Sequence, residues 1–242
     1  MLAKNKLVFL LDVDNTLLDN DRFAADLTAR LTQDFGALEC DRFWAIYAAR
    51  RDQLGYADYL GALQEFASTL RDHDDVLQVS AFLLDYPFKK RLYPRVFEVI
   101  AHLQEMGLVA ILSDGDVVFQ PRKIQRSGLF LATKGKVMIF AHKEHEVEAI
   151  QRRYSAAHYV MVDDKPQLLA AMKQVLGTKL MTIFVSQGHY ATESASVKIN
   201  PPPDRRIECI ADLLEFNFSD FLATDPLLVA NDRAEQDSEE RI

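Results

Sequence analysis

The sequence predicts an α/β protein, a doubly wound parallel sheet with an α-helical domain inserted after the first strand. Three observations carry that expectation. Its short apolar runs are nearly continuous rather than alternating, which suits strands covered on both faces. Helical patterns separate most of these runs. The first and second runs are separated by roughly a hundred residues, far more than one crossover helix needs.

The elements follow in order. Strands are expected at Lys6–Leu11, Val109–Leu112, Val137–Phe140, Tyr159–Val162 and Met181–Val185. In Val96–Glu105, Val96, Val99, Ile100 and Leu103 share a helical face, and Gly107 follows as a stop. Glu146–Tyr154 and Gln167–Leu176 read the same way, with Gly177 ending the second. Between the first two strands Phe43, Ile46 and Tyr47, then Leu60, Leu63, Phe66 and Leu70, fall at helical spacing. Tyr86-Pro87 and Tyr93-Pro94 mark the return to the sheet, because a residue before proline avoids the helical region. Pro201-Pro202-Pro203 reads as a stiff connector to a helix at Ile207–Leu214. The expected division is a Rossmann-like core of residues 1–18 and 91–223, a helical insertion of 19–90, and a polar, flexible tail of 224–242.

Composition narrows the function. The 242 residues are 49% hydrophobic and 26% charged, ordinary for a soluble globular protein. A net charge of -8 argues against non-specific binding to nucleic acid or to an anionic membrane, so neither partner is expected. The start, MLAKNKLVFLLDVD, imitates a signal peptide, but Asp12 cuts its apolar stretch short and no small-residue cleavage site follows. No apolar run approaches the length of a membrane span. Cys40 and Cys209 have no metal or redox spacing and read as reduced thiols. A cytoplasmic location is expected; the sequence leaves the oligomeric state open.

The strand ends carry the chemistry. Asp12 and Asp14 alternate with Val13 where the first strand runs out, the second strand ends in Ser113-Asp114-Gly115-Asp116, the third runs into Lys143, and the fourth ends in Asp163-Asp164-Lys165. In a doubly wound sheet ligands bind outside the carboxyl ends of the strands, so these residues should converge. Clustered carboxylates raise one another's pKa values unless a cation offsets the repulsion. All-oxygen ligands suit Mg²⁺, which takes one or two carboxylates, waters and a phosphate oxygen. A lysine and a serine hydroxyl are what the remaining phosphoryl oxygens need. Of two acids one residue apart, one can attack phosphorus while the other moves a proton.

Asp12-Val13-Asp14-Asn15-Thr16-Leu17 resembles motif I of the haloacid dehalogenase-like (HAD) superfamily, in its phosphatase branch. Ser113 resembles motif II, Lys143 motif III and Asp163-Asp164 motif IV, in the family's order, over roughly residues 6–18 and 91–190. The helical insertion resembles the family's C1-type cap. The resemblance implies a phosphomonoester hydrolase acting on a small phosphorylated metabolite. Asp12 would be the nucleophile, forming an aspartyl-phosphate, and Asp14 the general acid and base. Ser113 and Lys143 would hold phosphoryl oxygens. Asp12, the backbone carbonyl of Asp14, and Asp163 would bind Mg²⁺, with Asp164 as a ligand or its supporting partner. Asn15 departs from the usual glycine, and Glu144 from the frequent proline after the lysine, which leaves Lys123 a rival to Lys143. The downstream acid that many relatives carry after motif IV is missing. Dehalogenase members lack the second motif I acid, so Asp14 favours phosphate chemistry.

Each residue also has a plainer reading. Asp12-Asp14 could form a turn or helix cap, Asp163-Asp164 could cap the helix near Pro166, and Ser113, Lys143 and Lys165 could be solvated. Four motifs in order outweigh the first readings, and Lys165 is taken as solvated. His142 is expected near the site and His145 on a solvated helix face. Gln187–Tyr190 is either a pocket rim or a plain loop. Arg50, Arg51, Tyr56 and Tyr59 are taken as surface arginines and packed tyrosines. A phosphotransferase or phosphomutase, or a non-catalytic HAD-like binding protein, remains an alternative. A receiver domain is excluded by motif order and length.

Overall fold

The computed structural model describes residues 5–70, 74–189, 198–218 and 221, so the expected 224–242 tail lies outside the described residues. Its strands are β1 (Asn5–Leu11), β2 (Leu108–Asp114), β3 (Val137–Phe140), β4 (Ala156–Asp163), β5 (Leu180–Val185) and β6 (Arg205–Ile207). They form one sheet in the order β3-β2-β1-β4-β5-β6, and every pairing is parallel. From β1 the chain winds outward through β2 and β3, then returns to β4 on the other side. The strand order therefore reverses between β1 and β4, where such sheets bind ligands.

Alternation within the apolar runs explains why they are continuous. In β1, Leu7, Phe9 and Leu11 enter one core while Val8 and Leu10 enter the other. Val109 and Ile111 against Ala110 and Leu112 repeat the split in β2, as do Val160 and Val162 against Tyr159 and Met161 in β4. Successive side chains point to opposite faces, and here both faces are covered.

Helices α1 (Asn20–Phe35), α2 (Ala37–Leu54), α3 (Tyr59–Thr69) and α4 (Asp74–Asp85) make up the insertion. Helix α5 (Val96–Met106) returns the chain to β2. Then come α6 (Phe119–Ser127), the short α7 (Leu129–Ala132), α8 (Val147–Arg153) and α9 (Pro166–Leu176). Helices α8 and α9 cover one face with Val147, Ile150, Leu169 and Met172. The other face meets Val99 and Ile100 of α5, and its core continues without a break into Phe23, Phe43, Tyr59 and Phe66 of the insertion. The chain leaves and re-enters the core through two adjacent segments. Asp19 N–H donates to Arg91 O (2.7 Å) and Tyr93 N–H to Leu17 O (3.0 Å).

One expected element is corrected. Ile207–Leu214 is not a helix: Ile207 closes β6, whose pairing with β5 runs from Ile183↔Arg205 to Val185↔Ile207, and only a 3₁₀ turn, Ile210–Leu214, follows. Among the described residues, no helix is long and apolar enough to cross a membrane.

Candidate active site

β1 and β4 are neighbours, in register through Leu11↔Val162, so their ends deliver Asp12 and Asp163 side by side. Asp12 follows the last residue of β1 and is buried, and its N–H donates to Val162 O at 3.0 Å. Lys143, in the 3₁₀ turn Lys143–His145 after β3, is fully buried. Its Nζ lies 2.5 Å from Asp12 Oδ1 and 2.7 Å from Asp163 Oδ2, and donates to Leu112 O at 3.2 Å. The contact with Asp163 Oδ2 is at ion-pair distance but not aligned as a hydrogen bond. Asp163 Oδ1 accepts the N–H of Lys165 (2.8 Å), which orders the turn into α9.

Asp14 belongs to a different set of contacts. Its Oδ1 lies 2.7 Å from Lys123 Nζ and its Oδ2 accepts from Gln120 Nε2 at 3.1 Å. Gln120 Nε2 also donates to Ser113 Oγ (2.9 Å), so an amide links Ser113 to Asp14. Both Gln120 and Lys123 come from α6, and Lys123 also donates to Asn20 Oδ1 at 3.0 Å. Asn15 holds the bend between the acids at φ +58°, a conformation asparagine tolerates. Its Oδ1 accepts the N–H groups of Asn20 (3.0 Å) and Asp21 (3.3 Å), satisfying donors at the start of α1.

Carboxylate oxygens of Asp12, Asp163 and Asp164 lie within 4.8 Å of one another. Both Asp164 oxygens are buried and without a hydrogen-bond partner among the described residues. Burial, then Asp163 and Asp12, push the Asp164 carboxyl well above the usual range. At Asp12 burial acts upward, Lys143 pulls down and Asp163 pushes up again, leaving it at about 6. Burial would lower Lys143, but Asp12, Asp163 and Asp114 outweigh it and hold the ammonium above its ordinary value. Lys143, with Lys165 farther off, thus under-compensates three acids. An all-oxygen donor set with an orphaned buried carboxylate fits a hard divalent cation such as Mg²⁺.

The remaining expectations divide. Lys123 meets Asp14 while Lys143 sits among the acids of β1 and β4. Lys165 is not simply solvated. It is half-buried at the cavity wall with Nζ 3.8 Å from Asp114 Oδ2, and burial is outweighed by Asp12, Asp163 and Asp114 to hold its pKa up. His142 is half-buried beside Gly55 of the insertion, and His145 is exposed in a 3₁₀ turn rather than on a helix. His189 lines the cavity and pairs with Asp21 at 2.6 Å, whereas Tyr190 lies outside the described residues. Arg50 is paired with Asp58 and Glu65, Tyr59 is buried and Arg51 is exposed at the surface; Arg51 and the half-buried Tyr56 also line the cavity. Gln120 was missed. The one signal available was its spacing from Lys123 across one turn of a helix whose mostly polar sequence hides its buried side.

The model of the haloacid dehalogenase-like hydrolase family matches residues 7–175, more than half of the chain. The crystal structure of a candidate haloacid dehalogenase-like hydrolase from Burkholderia xenovorans LB400 is similar at 49% identity and TM-score 0.83, over 88% of this chain and 99% of that one. The HAD-hydrolase YfnB of Bacillus subtilis, solved with magnesium bound, aligns at 16% identity and TM-score 0.58, over 88% of this chain and 98% of that one. An L-2-haloacid dehalogenase aligns at 16% identity and TM-score 0.56, over 87% and 98%. At these last identities the likeness is one of fold alone. No curated protein matches the chain. The motifs at the strand ends, the sheet order and the family match agree, and the chain belongs to the haloacid dehalogenase-like hydrolase family.

Proposed function

We propose that this hydrolase is a Mg²⁺-dependent phosphomonoesterase that acts in the cytoplasm on a small phosphorylated metabolite through an aspartyl-phosphate. The observation that carries the reading is Asp14. A carbon–halogen bond releases halide, which needs no proton, so a general acid would have no leaving group to serve. An ester releases an alkoxide, which does need one. Asp14 is partly exposed on the wall of the cavity and held by Lys123 and Gln120, apart from the buried Asp12.

In this reading an Asp12 oxygen attacks phosphorus, the P–O bond to the alcohol breaks, and Asp14 gives its proton to the departing oxygen. Asp14, now a carboxylate, takes a proton from water. The water oxygen attacks phosphorus, the Asp12–phosphorus bond breaks, and inorganic phosphate leaves. Lys143 and Ser113 hold the non-transferring oxygens. The carboxylates of Asp12 and Asp163 and the carbonyl of Asp14 would hold Mg²⁺, with Asp164 as a ligand or supporting partner. When bound, the cation offsets the negative charge gathered by the acids and the phosphoryl group. Water is the acceptor in this account; a phosphotransferase would use an alcohol in its place.

Residues 19–90 serve as the cap and residues 1–18 and 91–223 as the catalytic core. A cavity of about 450 Å³ supports this division, lined by Asp14, Asp114, Asp164 and Lys165 of the core and by Arg51 and Tyr56 of the insertion. Closing the insertion over it would exclude water and strengthen the charge interactions within. The expected substrate is small, and neither nucleic acid nor membrane is a partner. Hydrolysis of an aryl phosphate with Mg²⁺, and its loss in excess chelator, tests the proposal. Halide release from a 2-chlorocarboxylate without any phosphate release would contradict it.

A further inference from the structure

Beside the cavity over the acids lies a second chamber of about 300 Å³, and the two share Asn20, Tyr47, Arg51 and His189 in their walls. One face of α2 supplies much of the second chamber. Trp44, Tyr47, Ala48 and Arg51 line it, at the spacing that places residues on one side of a helix. The aromatic wall is fixed in place. Tyr47 stacks on buried Tyr59 with ring centroids 4.7 Å apart, Trp44 meets Tyr47 edge-on at 5.2 Å, and Trp44 Nε1 donates to Thr28 Oγ1 at 3.0 Å.

Arg51 differs from its neighbour. Arg50 is held by Asp58 (2.5 Å) and Glu65 (3.2 Å), whereas the Arg51 side chain makes no ion pair or hydrogen bond among the described residues. The acids nearby do not occupy it. Asp21 is committed to His189 and Asn15, and Asp52, though in the wall of the first chamber, does not pair with it. Asp14, Asp52, Asp114 and Asp164 otherwise make the first chamber acidic, so a second anionic group, away from the reacting phosphoryl, is favoured beside a cation of the wall, Lys165 near the core or Arg51 at the junction.

We infer that the substrate carries a second anionic group, a carboxylate or a further phosphate, on the alcohol it releases. That group meets the Arg51 guanidinium, and the apolar part of the alcohol lies against Trp44 and Tyr47. This rests on the phosphomonoesterase reading for the reacting end of the substrate. The specificity determinant is then one planar, bidentate cation in the insertion, a geometry suited to carboxylate and phosphate alike.

The test compares 4-carboxyphenyl phosphate and benzene-1,4-diyl bisphosphate with the uncharged 4-methylphenyl phosphate. For the wild type, kcat/KM should favour at least one charged ester by about tenfold, expressed mainly in KM, the size expected of a hydrogen bond between charged groups. The better charged ester identifies the anion. In Arg51→Ala the charged-to-neutral ratio should fall close to one, and Arg51→Lys should recover part of it. An unchanged ratio in Arg51→Ala, or a wild type that prefers the neutral ester, overturns the inference. Trp44 is the single tryptophan, so its fluorescence gives a second readout. 4-Carboxybenzylphosphonate should bind about tenfold tighter than benzylphosphonate to the wild type and equally to Arg51→Ala. Failure of the wild type to hydrolyse any ester would refute the phosphatase reading. The phosphonate titration would then decide the role of Arg51, with equal affinities in the wild type overturning it.

Discussion

Two lysines are divided among three acids at the strand ends. Lys143 faces Asp12 and Asp163, and Lys123 faces Asp14. Sequence alone left these lysines as rivals for one role. Lys123 is buried beside Asp14, with the faces of Phe23, Tyr59, Phe88 and Phe119 5.5–5.9 Å from its Nζ. That surround could not be read from sequence, because α6 offers only Phe119 and Ile124 as buried apolar residues and no stripe to orient it. Asp12, Asp14, Asp163 and Asp164 were legible because charge follows directly on a buried apolar run. Asp14→Asn should slow hydrolysis of an alkyl phosphate by about a hundred- to ten-thousandfold. An aryl phosphate, whose phenolate leaves without much protonation, should lose less in the first step. Steady-state kinetics on the two ester classes check this, and equal losses would deny Asp14 its role as acid. Lys123→Met should likewise lose more on alkyl than on aryl esters, by a smaller factor, since Asp14 keeps its proton-transfer group but loses one of the two side chains that position it.

Strands β1 to β5 were legible because each is covered on both faces and reads as an apolar run. Strand β6 was not: it has three residues, Arg205 and Arg206 are exposed, and only Ile207 is buried. Its place depends on Asp204, which accepts from Thr182 N (2.8 Å), Thr182 Oγ1 (2.9 Å) and Lys173 Nζ (2.8 Å). Burial would raise the Asp204 carboxyl, but Lys173 and Thr182 outweigh it and hold the group below the usual range. A carboxyl depressed in the folded state binds its proton less readily there than in the unfolded chain. Its contribution to stability is therefore full above the unfolded value, about 4, and is lost as pH falls below that. Urea midpoints of wild type and Asp204→Asn should differ at neutral pH and converge as pH drops below about 4. A constant gap would contradict the assignment. In the insertion, the Phe23 ring meets those of Tyr59, Tyr86, Phe88 and Phe119 within 4.9–5.9 Å. It joins α1 to the core side of the molecule, so Phe23→Ala should cost about 3–5 kcal/mol in urea unfolding. The helical insertion was visible in the sequence as a periodic stretch, but its shared core with the sheet was not, because that depends on contacts between residues far apart in the chain.

For the molecule as a whole, the acids at the switch point are a stored repulsion that folding tolerates and a bound cation would relieve. Mg²⁺ at a hundred times its dissociation constant should stabilise the wild type by about 2.7 kcal/mol, measurable as a rise in the urea midpoint. Asp164→Asn should lose much of that rise and, without metal, be no less stable than the wild type, since it removes a buried carboxyl that has no hydrogen-bond partner among the described residues and sits beside two other acids. A metal response unaffected by the substitution would place the ion elsewhere. The central claim, that Asp12 carries the phosphoryl group while Asp14 moves the proton, has one most direct test. Asp14→Asn, mixed with an aryl phosphate and Mg²⁺ and quenched in acid, should gain the mass of one phosphoryl group, located by peptide mapping on Asp12. Asp12→Asn should gain none and should not turn over. An adduct on Asp14 in the wild type, or normal turnover by Asp12→Asn, would contradict the account.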